Sequence, residues 1–125
     1  MAKIKNVKGR QVFDSRGNPT VEAEVFLENG ISATAISPSG ASTGAFEAYE
    51  LRDHNKNQFL GKSVFNAISN INNKISNKLK GLNADDQKNI DKVLVDTDGS
   101  ENKKNLGANA ILAVSLANSK SAALS

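Results

Sequence analysis

The sequence predicts an α+β domain: a three-stranded antiparallel β meander followed by a helical bundle. Three observations carry this. Apolar residues alternate with polar ones only in the first third of the 125 residues. An Asn29-Gly30 dipeptide interrupts that third. From Val64 onward the spacing between apolar residues changes to three and four. Strands grouped ahead of helices argue for a small sheet packed on helices rather than for alternating β-α units.

The first strand runs from Ile4 to Phe13, with Val7, Val12 and Phe13 as its apolar positions. Asp14-Ser15-Arg16-Gly17-Asn18-Pro19 is a turn cluster too long for a two-residue hairpin. In Thr20–Glu28, Val21, Ala23, Val25 and Leu27 alternate with Thr20, Glu22, Glu24 and Phe26, the pattern of a half-buried strand. Asn29-Gly30 predicts a type I′ turn, because both residues tolerate positive φ. Ile31–Ile36 returns as the third strand. Ser37–Gly44 is a loop of small residues, and Ala45–Asp53 has no clear period. Val64, Ala67, Ile68, Ile71, Ile75 and Leu79 mark a helix with Ser63 as its N-cap and Gly81 as its stop. Asn83 or Asp85 caps a second helix that buries Ile90, Val93 and Leu94. Asp96–Gly107 is a polar connection. Ala108–Leu124 is apolar on more than one face, so it is expected to be buried against several elements.

Composition narrows the chemistry. With 38% hydrophobic residues the chain can build a core, and at this length roughly two-thirds of its unfolded surface would be buried. There is no Cys, which excludes disulfides, thiol catalysis and Cys-ligated zinc. His54 is the only His, so a multi-His metal site or an internal Ser-His-Asp triad has little to work with. No apolar run approaches the ~20 residues of a membrane helix, and Met1–Lys5 leads into no apolar signal stretch. The net charge of +3 is spread out: seven Lys and six acids interleave between Lys74 and Lys104. That is a solvated mixed-charge face rather than a nucleic-acid surface.

Several motifs weaken on inspection. Gly61-Lys62-Ser63 resembles the end of a phosphate loop, but Lys56 stands where the first Gly is needed and no strand precedes it. Asp96-Thr97-Asp98-Gly99-Ser100 begins like a calcium loop. Its Gly comes at the fourth position instead of the sixth, and Gly107 stands where a bidentate Glu is required, which leaves a turn and capping role. His54 reads as a solvated loop residue. The Ser37–Gly44 loop is different. Its small residues let backbone approach a ligand, and Ser42 can offer both hydroxyl and carbonyl oxygens to a hard cation such as Mg²⁺.

Four stretches carry a family resemblance. They are Asp14-Ser15-Arg16-Gly17-Asn18-Pro19-Thr20-Val21-Glu22, Pro38-Ser39-Gly40-Ala41-Ser42-Thr43-Gly44, Glu50-Leu51-Arg52-Asp53, and Gly107-Ala108-Asn109-Ala110-Ile111-Leu112-Ala113-Val114-Ser115-Leu116-Ala117. Their order and spacing resemble enolase over essentially the whole chain, and specifically its N-terminal domain. One departure is His54-Asn55, where many enolases have Gly-Asp.

The resemblance implies a Mg²⁺-dependent carbon–oxygen lyase of glycolysis that interconverts 2-phosphoglycerate and phosphoenolpyruvate. In such enzymes the Lys base, the Glu acid, the metal carboxylates and the phosphate-binding groups lie on a C-terminal barrel. Residues 1–125 would then be the lid and dimer-contact domain, with no catalytic residue of their own and no activity alone. Ser39, Gly40, Ala41, Ser42, Thr43 and Gly44 would form the lid over substrate, and Ser42 would be the Mg²⁺ ligand. Arg10 and Glu22 would make ion pairs across a homodimer or higher homo-oligomer. The implied location is cytoplasmic, with room for a secondary cell-surface or secreted pool, and the RNA-degradation machinery is a further partner class. The rival reading is a small basic α+β module that binds RNA or a protein partner through Lys3, Lys5 and Lys8.

Overall fold

The computed structural model describes residues 2–37, 51–54, 63–100, 103 and 105–125. Strands β1 (Ile4–Phe13), β2 (Pro19–Leu27) and β3 (Ser32–Ile36) form one antiparallel sheet in the order β1-β2-β3. This is the expected meander. Val21, Ala23, Val25 and Leu27 are buried together on its inner face, while Glu22, Glu24 and Phe26 lie half-buried on the outer one. Lys5 is an extra residue in β1: Ile4 pairs with Leu27 and Asn6 with Phe26, so β1 bulges there and then keeps a regular register to Phe13–Pro19.

The β2–β3 turn differs from the expected type I′. Gly30 N–H donates to Leu27 O at 3.1 Å and Leu27 N–H donates to Ile31 O at 2.8 Å. Gly30 has φ +89°, but Asn29 is not in the positive-φ region. The connection is therefore a three-residue loop, a type I turn closed by a left-handed Gly. Asn29 instead turns its side chain inward, and its Oδ1 accepts from Ile31 N–H at 3.0 Å. The β1–β2 connection repeats this geometry. Gly17 N–H donates to Asp14 O at 3.0 Å and Asp14 N–H to Asn18 O at 2.9 Å.

Three helical segments run on from one another: α1 (Phe65–Asn70), a π-helical turn (Ile71–Ile75) and α2 (Ser76–Leu79). They bury Ala67, Ile71, Ile75 and Leu79, the stripe the spacing predicts. Helix α3 (Gln87–Asp98) buries Ile90 and Leu94, while Val93 is only partly buried. Helix α4 (Ala108–Leu124) packs on β2, β3, α3 and α1, as its several apolar faces require. Gly9 lets the helical run approach the sheet closely: a Cβ there would sit 2.9 Å from Ile71 Cδ1. Next to it, Asn72 Oδ1 accepts from Gly9 N–H at 2.9 Å, which occupies part of the open edge of β1.

Two expected caps are corrected. Ser63 does not cap α1: Val64 holds the N-cap position, and no side chain of that residue bonds the helix. The second helix is capped by neither Asn83 nor Asp85. Asp86 holds that position, and its carboxylate accepts from Asn89 N–H. Asn83 organises the turn before it, accepting from Asp85 N–H at 3.0 Å. Among the described residues no helix is long and apolar enough to cross a membrane.

Candidate functional site

Ser39, Gly40, Ala41, Ser42, Thr43 and Gly44 lie outside the described residues, as do Gly61 and Lys62. Both flanks of segment 38–50 are described, and each bonds the start of β2. On the leading side, Ser37 N–H donates to Val21 O at 2.8 Å, and Thr20 Oγ1 donates to Ser37 O at 2.8 Å. Thr20 and Ser37 are both buried, so this hydroxyl–carbonyl bond is shielded from water. On the returning side, Arg52 Nη1 donates to Pro19 O at 2.9 Å. Pro19, Thr20 and Val21 therefore receive the chain at both ends of the segment.

The start of β2 is itself held by the turn before it. Asp14 Oδ1 accepts from the backbone N–H groups of Arg16 and Asn18, each at 2.9 Å. The turn cluster expected at Asp14–Pro19 is thus held in part by its own first residue.

Two further contacts hold the returning flank. Asn109 in the first turn of α4 bonds both backbone groups of Leu51: Leu51 N–H donates to Oδ1 at 3.1 Å, and Nδ2 donates to Leu51 O at 3.0 Å. Asp53 reaches the first turn of α1, where Oδ2 accepts from Phe65 N–H at 3.0 Å and Oδ1 from Asn66 N–H at 2.9 Å. Asp53 thus takes the capping role expected of Ser63. Three of the four stretches singled out in the sequence, 14–22, 50–53 and 107–117, converge on these flanks.

Arg10 and Glu22 are cross-strand partners on the outer sheet face. Arg10 Nη1 meets Glu22 Oε1 at 2.6 Å, and Nη2 meets Glu24 Oε1 at 2.6 Å. Donating hydrogen bonds to the Glu24 and then the Glu22 carboxylate raises the Arg10 pKa above its ordinary value. Within this chain the two candidate dimer residues pair with each other. On the same face Lys8, the register partner of Glu24, lies over the Phe26 ring, 5.7 Å from its centroid. A shallow depression of about 370 Å³ opens beside them, lined by Asn6, Val7, Lys8, Gly9, Arg10 and Asn72.

The Asp96–Ser100 stretch behaves as a turn and cap. Asp98 ends α3, Gly99 takes the left-handed C-cap conformation, and the Asp98 carboxylate turns back on its own connection. Oδ2 accepts from Leu106 N–H at 2.7 Å, and Oδ1 accepts from the Ser100 amide and hydroxyl. Burial pushes the carboxyl upward, but the bonds from Ser100, Leu106 and Asn105 outweigh it, and the group is held below the usual carboxylate range. His54 is exposed, with φ +59°.

Among the described residues no three His, Asp or Glu side chains gather. Ser42, the one residue expected to meet Mg²⁺, lies outside them.

Sequence reasoning missed Asn109, Arg52, Asp53 and Thr20. Asn109 had a usable signal: a carboxamide in a helix predicted to be buried on several faces needs a partner. The bonds of Asp53 and Arg52 span 12 to 33 residues, and no local pattern announces them.

The described residues form a small α+β domain, a three-stranded antiparallel sheet packed against helices. Residues 4–125 match the family model for the enolase N-terminal domain, and the chain belongs to that family.

Proposed function

We propose that this chain is the active-site-covering part of an enolase, the lyase that reversibly dehydrates 2-phosphoglycerate to phosphoenolpyruvate. On this reading Ser39, Gly40, Ala41, Ser42, Thr43 and Gly44 are the lid residues that close over substrate. Ser42 lends its oxygens to Mg²⁺ there. When bound, the metal polarises the substrate carboxylate and stabilises the negative charge that develops beside it. Residues of this chain exclude water and hold the lid's base, and the proton-transferring groups belong to a barrel outside residues 1–125. Arg10 and Glu22 face the second subunit of a cytoplasmic homodimer.

The observation that carries the reading is the convergence of both flanks of segment 38–50 on Pro19–Val21. It is supported by a family match that spans residues 4–125. A loop anchored at one place on both sides can move as a unit while its base stays fixed.

The test is Ser42→Ala in the intact enzyme, with phosphoenolpyruvate followed by its ultraviolet absorbance. The variant is expected to lose activity and to need more Mg²⁺ for half-maximal rate. Wild-type kinetics at limiting Mg²⁺ would refute the ligand role. The 1–125 chain alone, given substrate and Mg²⁺, is expected to show no turnover above a blank without protein.

A further inference from the structure

The loop between β2 and β3 gathers the parts of a reaction around one of its own side chains. Asn29 is the only Asn of the chain that is followed by Gly. Asn29 and Gly30 are both exposed at the tip of the hairpin, outside the strand ladder. Gly30 has no Cβ to shield its backbone nitrogen from the neighbouring carboxamide. Its N–H is tied by a turn bond to Leu27 O at 3.1 Å. A loop tip of this kind opens locally at little cost, and that opening frees the nitrogen.

The Asn29 carboxamide is held at both of its polar atoms. Oδ1 accepts from Ile31 N–H at 3.0 Å. Nδ2 donates to Ser125 Oγ at 2.9 Å, at the end of α4. Attack on Cγ would put negative charge on Oδ1, where Ile31 N–H already donates, and a donor aimed at a developing oxyanion stabilises it. The amide nitrogen has to take up a proton before it leaves, and the Ser125 hydroxyl sits against it. Nucleophile, oxyanion donor and leaving-group partner therefore meet at one side chain, and the exposed tip admits water.

We propose that Asn29 is a self-modification site, where the loop converts its carboxamide through a succinimide to aspartate and isoaspartate, assisted by Ile31 N–H and Ser125 Oγ. Gly30 N gives its proton to solvent base and bonds to Asn29 Cγ, while the carbonyl electron pair moves onto Oδ1. The pair returns, the Cγ–Nδ2 bond breaks, and ammonia leaves with a proton passed on by the Ser125 hydroxyl, which water restores. Water then opens the ring. Cleavage of the bond to Cγ gives aspartate, and cleavage of the bond to the main-chain carbonyl gives isoaspartate. Either product places a new negative charge beside Glu28. Isoaspartate also lengthens the backbone between Leu27 and Ile31, whose N–H and C=O close the loop at 2.8 Å.

The experiment ages the intact protein at mildly alkaline pH beside a synthetic peptide of residues 24–36. Mass spectrometry follows the mass gain that marks replacement of an amide by a carboxylate, and an isoaspartyl methyltransferase labels the isoaspartate product. Asn29 is expected to convert before every other Asn of residues 1–125, at a rate within about tenfold of the peptide's. The rate is expected to rise with pH, because the deprotonated nitrogen is the nucleophile. Asn29→Gln, whose longer side chain closes a less favoured ring, is expected to show no gain at that position over the same period. Ser125→Ala is expected to slow the conversion about tenfold. Both substitutions lie at exposed positions and leave the core untouched.

A folded protein whose Asn29 is still intact when the peptide has fully converted overturns the inference. A Ser125→Ala rate equal to or above that of wild type overturns the assistance by Ser125.

Discussion

Helices α1 and α3 both begin under an aspartate, but the two aspartates come from different distances. Asp86 caps α3 from its own N-cap position through one bond of 3.2 Å to Asn89 N–H. Asp53 caps α1 from 12 residues before Phe65, using both carboxylate oxygens. The local cap stabilises one helix end. The remote cap also ties the returning flank of segment 38–50 to the helical run, and Ser63 O closes that contact by accepting from Asp53 N–H at 2.9 Å. The same amino acid serves secondary structure in one place and the tertiary position of a flank in the other. A helix end needs only some oxygen near its amides. Supplying that oxygen from a distant segment couples the segment's order to the helix.

The strongest way to break the remote arrangement is Gly107→Ala. The backbone there lies at φ +96° and ψ +131°, a region essentially reserved for Gly. The added methyl would also meet Leu51 Cβ and Asn109 Oδ1 at 2.6 Å. Backbone strain and overpacking together are expected to cost about 3 kcal/mol. Urea denaturation of the 1–125 chain would read this as a lowered midpoint, with faster hydrogen exchange at Leu51.

Asp98 stands between the two cases, since its carboxylate reaches eight residues forward to Leu106 N–H. Asp98→Ala would leave that buried amide without its partner, at a cost of about 2 kcal/mol at neutral pH. The pH dependence has a definite sign. The folded pKa lies below the unfolded value, which is about 3.9 for Asp. Stabilisation by the charged form is therefore fully present above that value and is lost as pH falls through the folded pKa. Urea midpoints of wild type and Asp98→Ala should differ most near pH 7 and draw together below about pH 4. A gap that stays constant into acid would show that charge plays no part in the turn.

Distance along the chain also decides what the sequence discloses. The strands were legible because alternation is a local signal: Val21 to Leu27 has its inner face set by neighbours two residues away. The helical stripe from Val64 to Leu79 was legible for the same reason. Asn29-Gly30 did mark a hairpin, but the turn type depended on Asn29 taking a conformation that leaves its side chain free to bond Ile31 N–H. Ser63 was a reasonable cap by residue type, yet its backbone went to Asp53 and the capping oxygens came from Asp53 as well. The lid residues Ser39–Gly44 had only their small size and hydroxyls to suggest a site, and their role was read from family resemblance. The bonds that join Leu51 to Asn109 and Arg52 to Pro19 had no local pattern to announce them, because they span 58 and 33 residues; only the buried carboxamide of Asn109 signalled that it needs a partner.

The next test acts on the cap itself. Asp53→Ala removes acceptors from two amides, and the expected loss is about 1–2 kcal/mol. It should be accompanied by faster exchange at 51–54, because the flank loses a tether together with the helix end. If stability falls while exchange at 51–54 stays unchanged, the cap serves α1 alone and the coupling is absent.

Asp86→Ala is the matched control and the smallest effect. A single long bond at an exposed helix start is worth about 0.5–1 kcal/mol. The loss should stay within α3: exchange at Asn89 and Ile90 rises, while exchange at 51–54 remains at the wild-type rate. Asp86→Asn keeps an acceptor oxygen at the cap, so it should recover most of the difference. If Asp86→Ala instead loosened 51–54, the two helix starts would belong to one cooperative unit. The contrast between a local and a remote aspartate would then be one of sequence distance only.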